Sequence, residues 1–111
     1  MTVLAKNIIP AGSLTTAVVT KYTAIGVTTI VDRVTATNYA ATAVSLSVYI
    51  VPEGSTPTSE NLVVKTKTLQ PAETYTCPEM SGQVLPPGAY ISASASANSS
   101  ITLRGNGREV S

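Results

Sequence analysis

Ala89-Tyr90-Ile91-Ser92-Ala93-Ser94-Ala95-Ser96-Ala97 and Ala43-Val44-Ser45-Leu46-Ser47-Val48-Tyr49-Ile50-Val51 decide how this chain is read. Both alternate apolar and polar residues with period two, as a strand does when it buries one face and leaves the other outside. One such strand buries little by itself. Two of them in a chain of 111 residues, aliphatic on one side and hydroxyl-rich on the other, predict a sheet packed on a partner sheet.

Turn residues punctuate the rest at short intervals: Pro10-Ala11-Gly12-Ser13, Gly26, Asn38, Pro52-Glu53-Gly54, Pro71, Pro78, Ser81-Gly82, Pro86-Pro87-Gly88, Asn98-Ser99 and Gly105-Asn106-Gly107. Between them strands are expected near residues 2–5, 14–23, 28–37, 43–51, 62–69, 73–77, 89–97 and 101–104, with a short last piece at 108–110. Val and Thr dominate these runs, and both are stiff at χ1 in a way that favours the pleated surface over helix. The fold class is therefore all-β: a single antiparallel β-sandwich of about eight strands over residues 1–111, its longest loop at residues 52–61.

Composition narrows the function. Charged residues make up 12% and the net charge is +1, so no electrostatic field exists with which to capture nucleic acid or anionic lipid. The outer surface must be mostly Thr, Ser, Asn and Gly, a surface suited to being covered in use. Cys77 is the one cysteine, which excludes an internal disulfide, and no apolar run approaches the length of a membrane span. Neither a secretory route nor a membrane is expected, and Asn98-Ser99-Ser100 reads as a polar turn before it reads as a glycan acceptor.

Without histidine, imidazole metal sites, Ser-His-Asp triads and Cys-His pairs are ruled out. Glu53, Glu60, Glu73, Glu79 and Glu109 fall mostly in expected loops or strand ends, where carboxylates are solvated, and Asp32 stands alone. No enzyme activity, cofactor or metal is expected. Gly105-Asn106-Gly107 reads as a tight turn between strands, with Arg104 and Arg108 as its solvated rim. Of the five tyrosines, Tyr49 shares its strand face with Ser45 and Ser47, opposite Val44, Leu46, Val48 and Ile50, and so belongs outside the core.

The ordered segments 30–38 (IVDRVTATN), 44–52 (VSLSVYIVP), 69–75 (LQPAETY), 84–93 (VLPPGAYISA) and 107–110 (GREV) resemble those of small β-sandwich virion proteins of tailed bacteriophages. The similarity covers most of the chain from about Leu14 onward. Pro87-Gly88-Ala89 departs from the family pattern, which commonly places an acidic residue after this glycine. The resemblance implies a jelly-roll-like capsid decoration or cement protein, bound over joints between major capsid proteins on the capsid exterior. Its partners would be the major capsid protein and copies of itself, as a dimer or trimer, with assembly in the host cytoplasm. A tail, fibre or receptor-binding component and a small carbohydrate-binding module are the alternatives.

The expected contact residues are Val3, Leu4, Ile8 and Ile9 near the N-terminus and Ser45, Tyr49, Ser92 and Ser94 on the hydroxyl-rich faces. Residues 1–9 form either an arm that adds a strand to a neighbour or the first strand of the domain's own sheet.

Overall fold

Each alternating run becomes a strand with its aliphatic side turned inward. Val44, Leu46 and Val48 on one strand and Ile91, Ala93 and Ala95 on its neighbour are buried, whereas Ser45, Ser47, Tyr49 and Ser94 between them are half-buried. The computed structural model describes residues 2–111, in which the strands are β1 (Val3–Ser13), β2 (Val19–Thr23), β3 (Thr28–Asn38), β4 (Val44–Val51), β5 (Leu62–Leu69), β6 (Thr74–Tyr75), β7 (Val84–Leu85), β8 (Tyr90–Ala95) and β9 (Ile101–Val110).

The chain runs as one long hairpin doubled back at the connection between β4 and β5, which carries a single short 3-10 turn, Ser59–Asn61. On either side of that reversal β4 pairs β5, β3 pairs β6 and β7, β2 pairs β8, and β1 pairs β9, every pair antiparallel. The doubled hairpin is wound into two sheets, the first ordered β1-β9-β3-β6 with β7 also on β3, the second β2-β8-β4-β5. This is an all-β antiparallel sandwich of jelly-roll order. The inner faces meet in one aliphatic core that includes Leu14, Val31, Val34, Leu46, Leu69, Met80, Leu85, Ile91, Ile101 and Leu103.

Three expectations need correction. Pro10-Ala11-Gly12-Ser13 is no turn: β1 runs through it, and the strand expected over 14–23 starts only at Val19. Pro10 is tolerated because β1 is an edge strand, where a missing N–H breaks no ladder bond on the open side. Second, the strand expected over 73–77 shrinks to β6, and β7 takes over its role alongside β3.

Third, Gly105-Asn106-Gly107 lies in the middle of β9, the longest-paired strand, bonded to β1 on one side and β3 on the other. Its glycines serve close approach rather than a turn. A Cβ on Gly107 would stand 2.6 Å from the Ile30 carbonyl oxygen and 3.2 Å from Ile8 Cδ1; one on Gly105 would stand 3.2 Å from Val34 Cγ2 and 3.3 Å from Ile9 Cδ1. Bulges on the flanking strands produce this crowding. An extra residue on β1 between Lys6 and Ile9, and another on β3 between Val31 and Arg33, shift the register on either side of Asn106.

Gly107→Ala is expected to lower the unfolding free energy by about 1–3 kcal/mol, the usual effect of overpacking against backbone that cannot yield. Gly12→Ala, whose new methyl would meet only the Pro10 carbonyl at 3.8 Å, should change stability by less than about 0.5 kcal/mol. Urea midpoints of the two variants measure this, and equal midpoints would refute the packing account.

Candidate functional site

The hydroxyl-rich outer face of the second sheet is largely engaged with itself. The Ser47 hydroxyl accepts the Thr66 N–H at 3.0 Å, where β5 bulges and Thr66 has a φ of 44°. The Ser96 hydroxyl accepts the Ser45 N–H at 2.9 Å. Ser92, opposite Tyr49 on β4 and Thr20 on β2, is 1% exposed, with its hydroxyl 3.4 Å from that of Thr20. Ser92 is thus covered by its own neighbours. Ser45, Tyr49 and Ser94 remain half-buried on this face. At its far end Val51 is fully buried, and the Tyr90 hydroxyl donates to the Ser55 carbonyl of the β4–β5 connection.

Residues 3–9 are the edge strand of the first sheet, so the choice between arm and strand goes to the strand. Ile8 and Ile9 are both buried in the core, because the bulge after Lys6 turns two successive side chains inward. Neither can serve as a free contact. Val3 and Leu4, in contrast, are 54% and 56% exposed. Val3 pairs with Val110, which pairs with Thr28; in the next row Ala5, Arg108, Ile30 and Val84 follow one another across β1, β9, β3 and β7. Val84 is 53% exposed, and Ile30 and Val110 are half-buried. The register therefore draws Val3, Val110, Ile30 and Val84 together as an apolar patch on the outer face of the first sheet. Only Val3 belonged to the expected contact set, since the others sit on strands far apart in sequence.

One end of the sandwich is closed by a polar chain between the sheets. Tyr22 on β2 donates its hydroxyl to Glu109 Oε2 on β9 at 2.6 Å, the Thr29 hydroxyl on β3 lies 2.6 Å from the Tyr22 oxygen, and Lys6 on β1 approaches Glu109 Oε2 at 3.3 Å. With its proton committed to the carboxylate, Tyr22 accepts from Thr29. Burial, then the Glu109 bond, pushes the Tyr22 hydroxyl up to about 12. The Tyr22 bond foremost, aided by Lys6, holds Glu109 below the usual carboxylate range despite its partial burial.

Cys77 is buried, and that burial, with Glu79 adding to it, pushes its thiol up to about 12. A thiol so far from ionising is a packing group, not a nucleophile. No cluster of three His, Cys, Asp or Glu side chains that could hold a metal occurs among the described residues. Surface clefts are small or shallow. One, of about 270 Å³, lies between Ile50, Pro52 and Glu53 and the Pro86-Pro87 turn; another, of about 440 Å³, is a shallow polar groove lined by Gly54, Ser55, Thr56, Thr58, Glu60 and Asn61. Neither lining includes an aromatic ring on which a sugar could stack.

The polar chain sets a pH window. Glu109, depressed on folding, stabilises the fold above the ordinary carboxylate pKa and loses that contribution as pH falls through its folded value; Tyr22, raised on folding, contributes below about pH 10 and loses it as pH rises towards about 12. Tyr22→Phe removes the second contribution and the largest cause of the first, leaving Lys6 on Glu109, so the difference in melting temperature between wild type and Tyr22→Phe should be largest between those limits and shrink at either extreme. A difference that does not vary with pH would refute the assignment. Compared with known protein families, curated proteins and solved structures, the chain matches none of them.

Proposed function

We propose that this protein is a structural virion protein of a tailed bacteriophage. It binds as a decoration or cement protein over joints between major capsid proteins on the outside of the shell, as a homo-oligomer, with no cofactor. The resemblance of its ordered segments supports the reading: four of the five reach β3, β4, β8 and β9, and the fifth, residues 69–75, spans the connection from β5 into β6. Viral capsid and lectin domains are built on jelly rolls, an analogy of fold alone.

The observation that carries the proposal is the apolar patch of Val3, Ile30, Val84 and Val110 beside the unpaired edge of β1. Apolar side chains gathered on one sheet face, Val3 and Val84 more than half exposed among them, suit a surface that another protein covers. A core made mainly of Val, Ala, Leu and Ile, without Phe or Trp, also leaves room for stability to be added by such burial.

Electron microscopy of the phage particles, or of heads incubated with the purified protein, tests this. Density at regular positions on the outer shell is expected, and density confined to the tail or absent from the particle would overturn it. Val3→Asp combined with Val84→Asp should weaken binding to heads by about tenfold or more, equivalent to about 1.4 kcal/mol, without lowering the melting temperature.

A further inference from the structure

All three arginines of the chain, Arg33, Arg104 and Arg108, stand on one face of one sheet, and all four lysines stand elsewhere. The segregation follows from the correction at Gly105-Asn106-Gly107. A turn there would have splayed Arg104 and Arg108 apart; in a continuous β9 they are four residues apart on the outward side, with Asn106 between them. Arg33 is opposite Asn106 on β3, and diagonal neighbours across such a ladder lie about 7–8 Å away. The result is a strip of three exposed guanidinium groups across the middle of the first sheet.

One carboxylate shares this face. Asp32, the bulged residue of β3, takes Arg108 in a fork, at 2.9 Å from one terminal nitrogen and 3.1 and 3.2 Å from Nε. Arg33 and Arg104 have no ion-pair partner among the described residues. The other acids are committed or placed elsewhere: Glu109 to Tyr22 and Lys6, Glu73 to the Gln70 N–H, Glu79 to the Tyr75 hydroxyl, with Glu53 and Glu60 in the β4–β5 connection. The strip therefore carries uncompensated positive charge in a chain whose net charge is only +1.

Guanidinium differs from ammonium in presenting a planar fork that matches a carboxylate two bonds at a time. Along the strands the strip runs from Arg108, in the row of Ile30 and Val84 and next to Val3 and Val110, to Arg104, in the row of Thr35 and next to Thr37, Thr74 and Thr102. The exposed Tyr39 ring stands at the threonine end, its hydroxyl 2.8 Å from that of Ser13 opposite Thr102, away from the apolar patch, and that patch suits a polypeptide. We propose that the outer face of the first sheet docks an acidic protein segment, its carboxylates on Arg33 and Arg104 beside the Arg108–Asp32 pair and its apolar side chains on the adjoining patch. For the segment's owner, a shell protein, this rests on the capsid reading; for its chemistry it does not.

The test titrates poly-L-glutamate into the purified full-length protein at low salt and follows backbone amide and arginine side-chain NMR shifts. Shifts are expected at Arg33 and residues 104–108. Arg33→Gln with Arg104→Gln should weaken binding about tenfold, while Lys65→Gln with Lys67→Gln, which removes the same charge from β5, should weaken it less than about twofold. Equal weakening by both pairs, shifts centred on β5, or no shifts at the arginines would overturn the proposal. So would duplex DNA that displaces poly-L-glutamate and binds the strip more tightly. Failure to bind heads with the poly-L-glutamate result intact would refute the capsid reading and leave the acidic-segment site standing.

Discussion

The close packing over β9 at Gly105 and Gly107 is the constraint on which the rest of this sandwich depends. With no side chain at either position, Ile8 and Ile9 from β1 and Val34 from β3 move in to within 3.2–3.3 Å of where a Cβ would stand, and the bulged β3 brings the Ile30 carbonyl closer still. Three consequences follow together. The edge strand β1 becomes part of the core through its two isoleucines, β9 runs straight through a segment rich in turn residues, and the arginines on either side of Asn106 are held on the outward face.

Bulges make this possible on strands that are otherwise regular. β1 carries two, and β5, at the opposite edge of the other sheet, also carries two. Each breaks the straight row of free N–H and C=O groups that would let edges of separate molecules pair without limit. What stays regular on β1 is the stretch from Val3 to Lys6, next to the apolar patch. The protein thus protects most of its edges and leaves one flat corner of one sheet available.

Between the sheets, polar groups are admitted only where every bond is made. Asn38 is fully buried, yet its amide donates to the Thr42 and Leu69 carbonyls at 2.9 and 3.0 Å and accepts the Ala40 N–H at 2.9 Å, tying the end of β3 to the end of β5. At the other end the Tyr22–Glu109 bond, with Thr29 and Lys6, joins β2 to three strands of the first sheet. No buried side-chain nitrogen or oxygen among the described residues lacks a partner. Because hydrogen bonds are directional where aliphatic contacts are not, these two ties define how the sheets are aligned in a core of small, similar side chains.

Local order along the chain determined the strands and their faces. Period two at residues 43–51 and 89–97 is a short-range property of the backbone, so Leu46, Val48, Ile91 and Ala93 could be assigned inward and Tyr49 outward from the residues alone. Strand pairing lies beyond that range. Pro10-Ala11-Gly12-Ser13 and Gly105-Asn106-Gly107 have the composition of turns, and only the position of β9 between β1 and β3 makes them continue strands. The inward turn of both Ile8 and Ile9, the covering of Ser92 by Thr20 and Tyr49, and the gathering of Val3, Ile30, Val84 and Val110 into one patch depend in the same way on register between strands up to about a hundred residues apart. A one-residue bulge reverses which face a side chain occupies, and where a bulge falls shows only in the pairing of distant strands. That is why the aliphatic core was legible in the sequence, whereas the arginine face was decided by the folded structure.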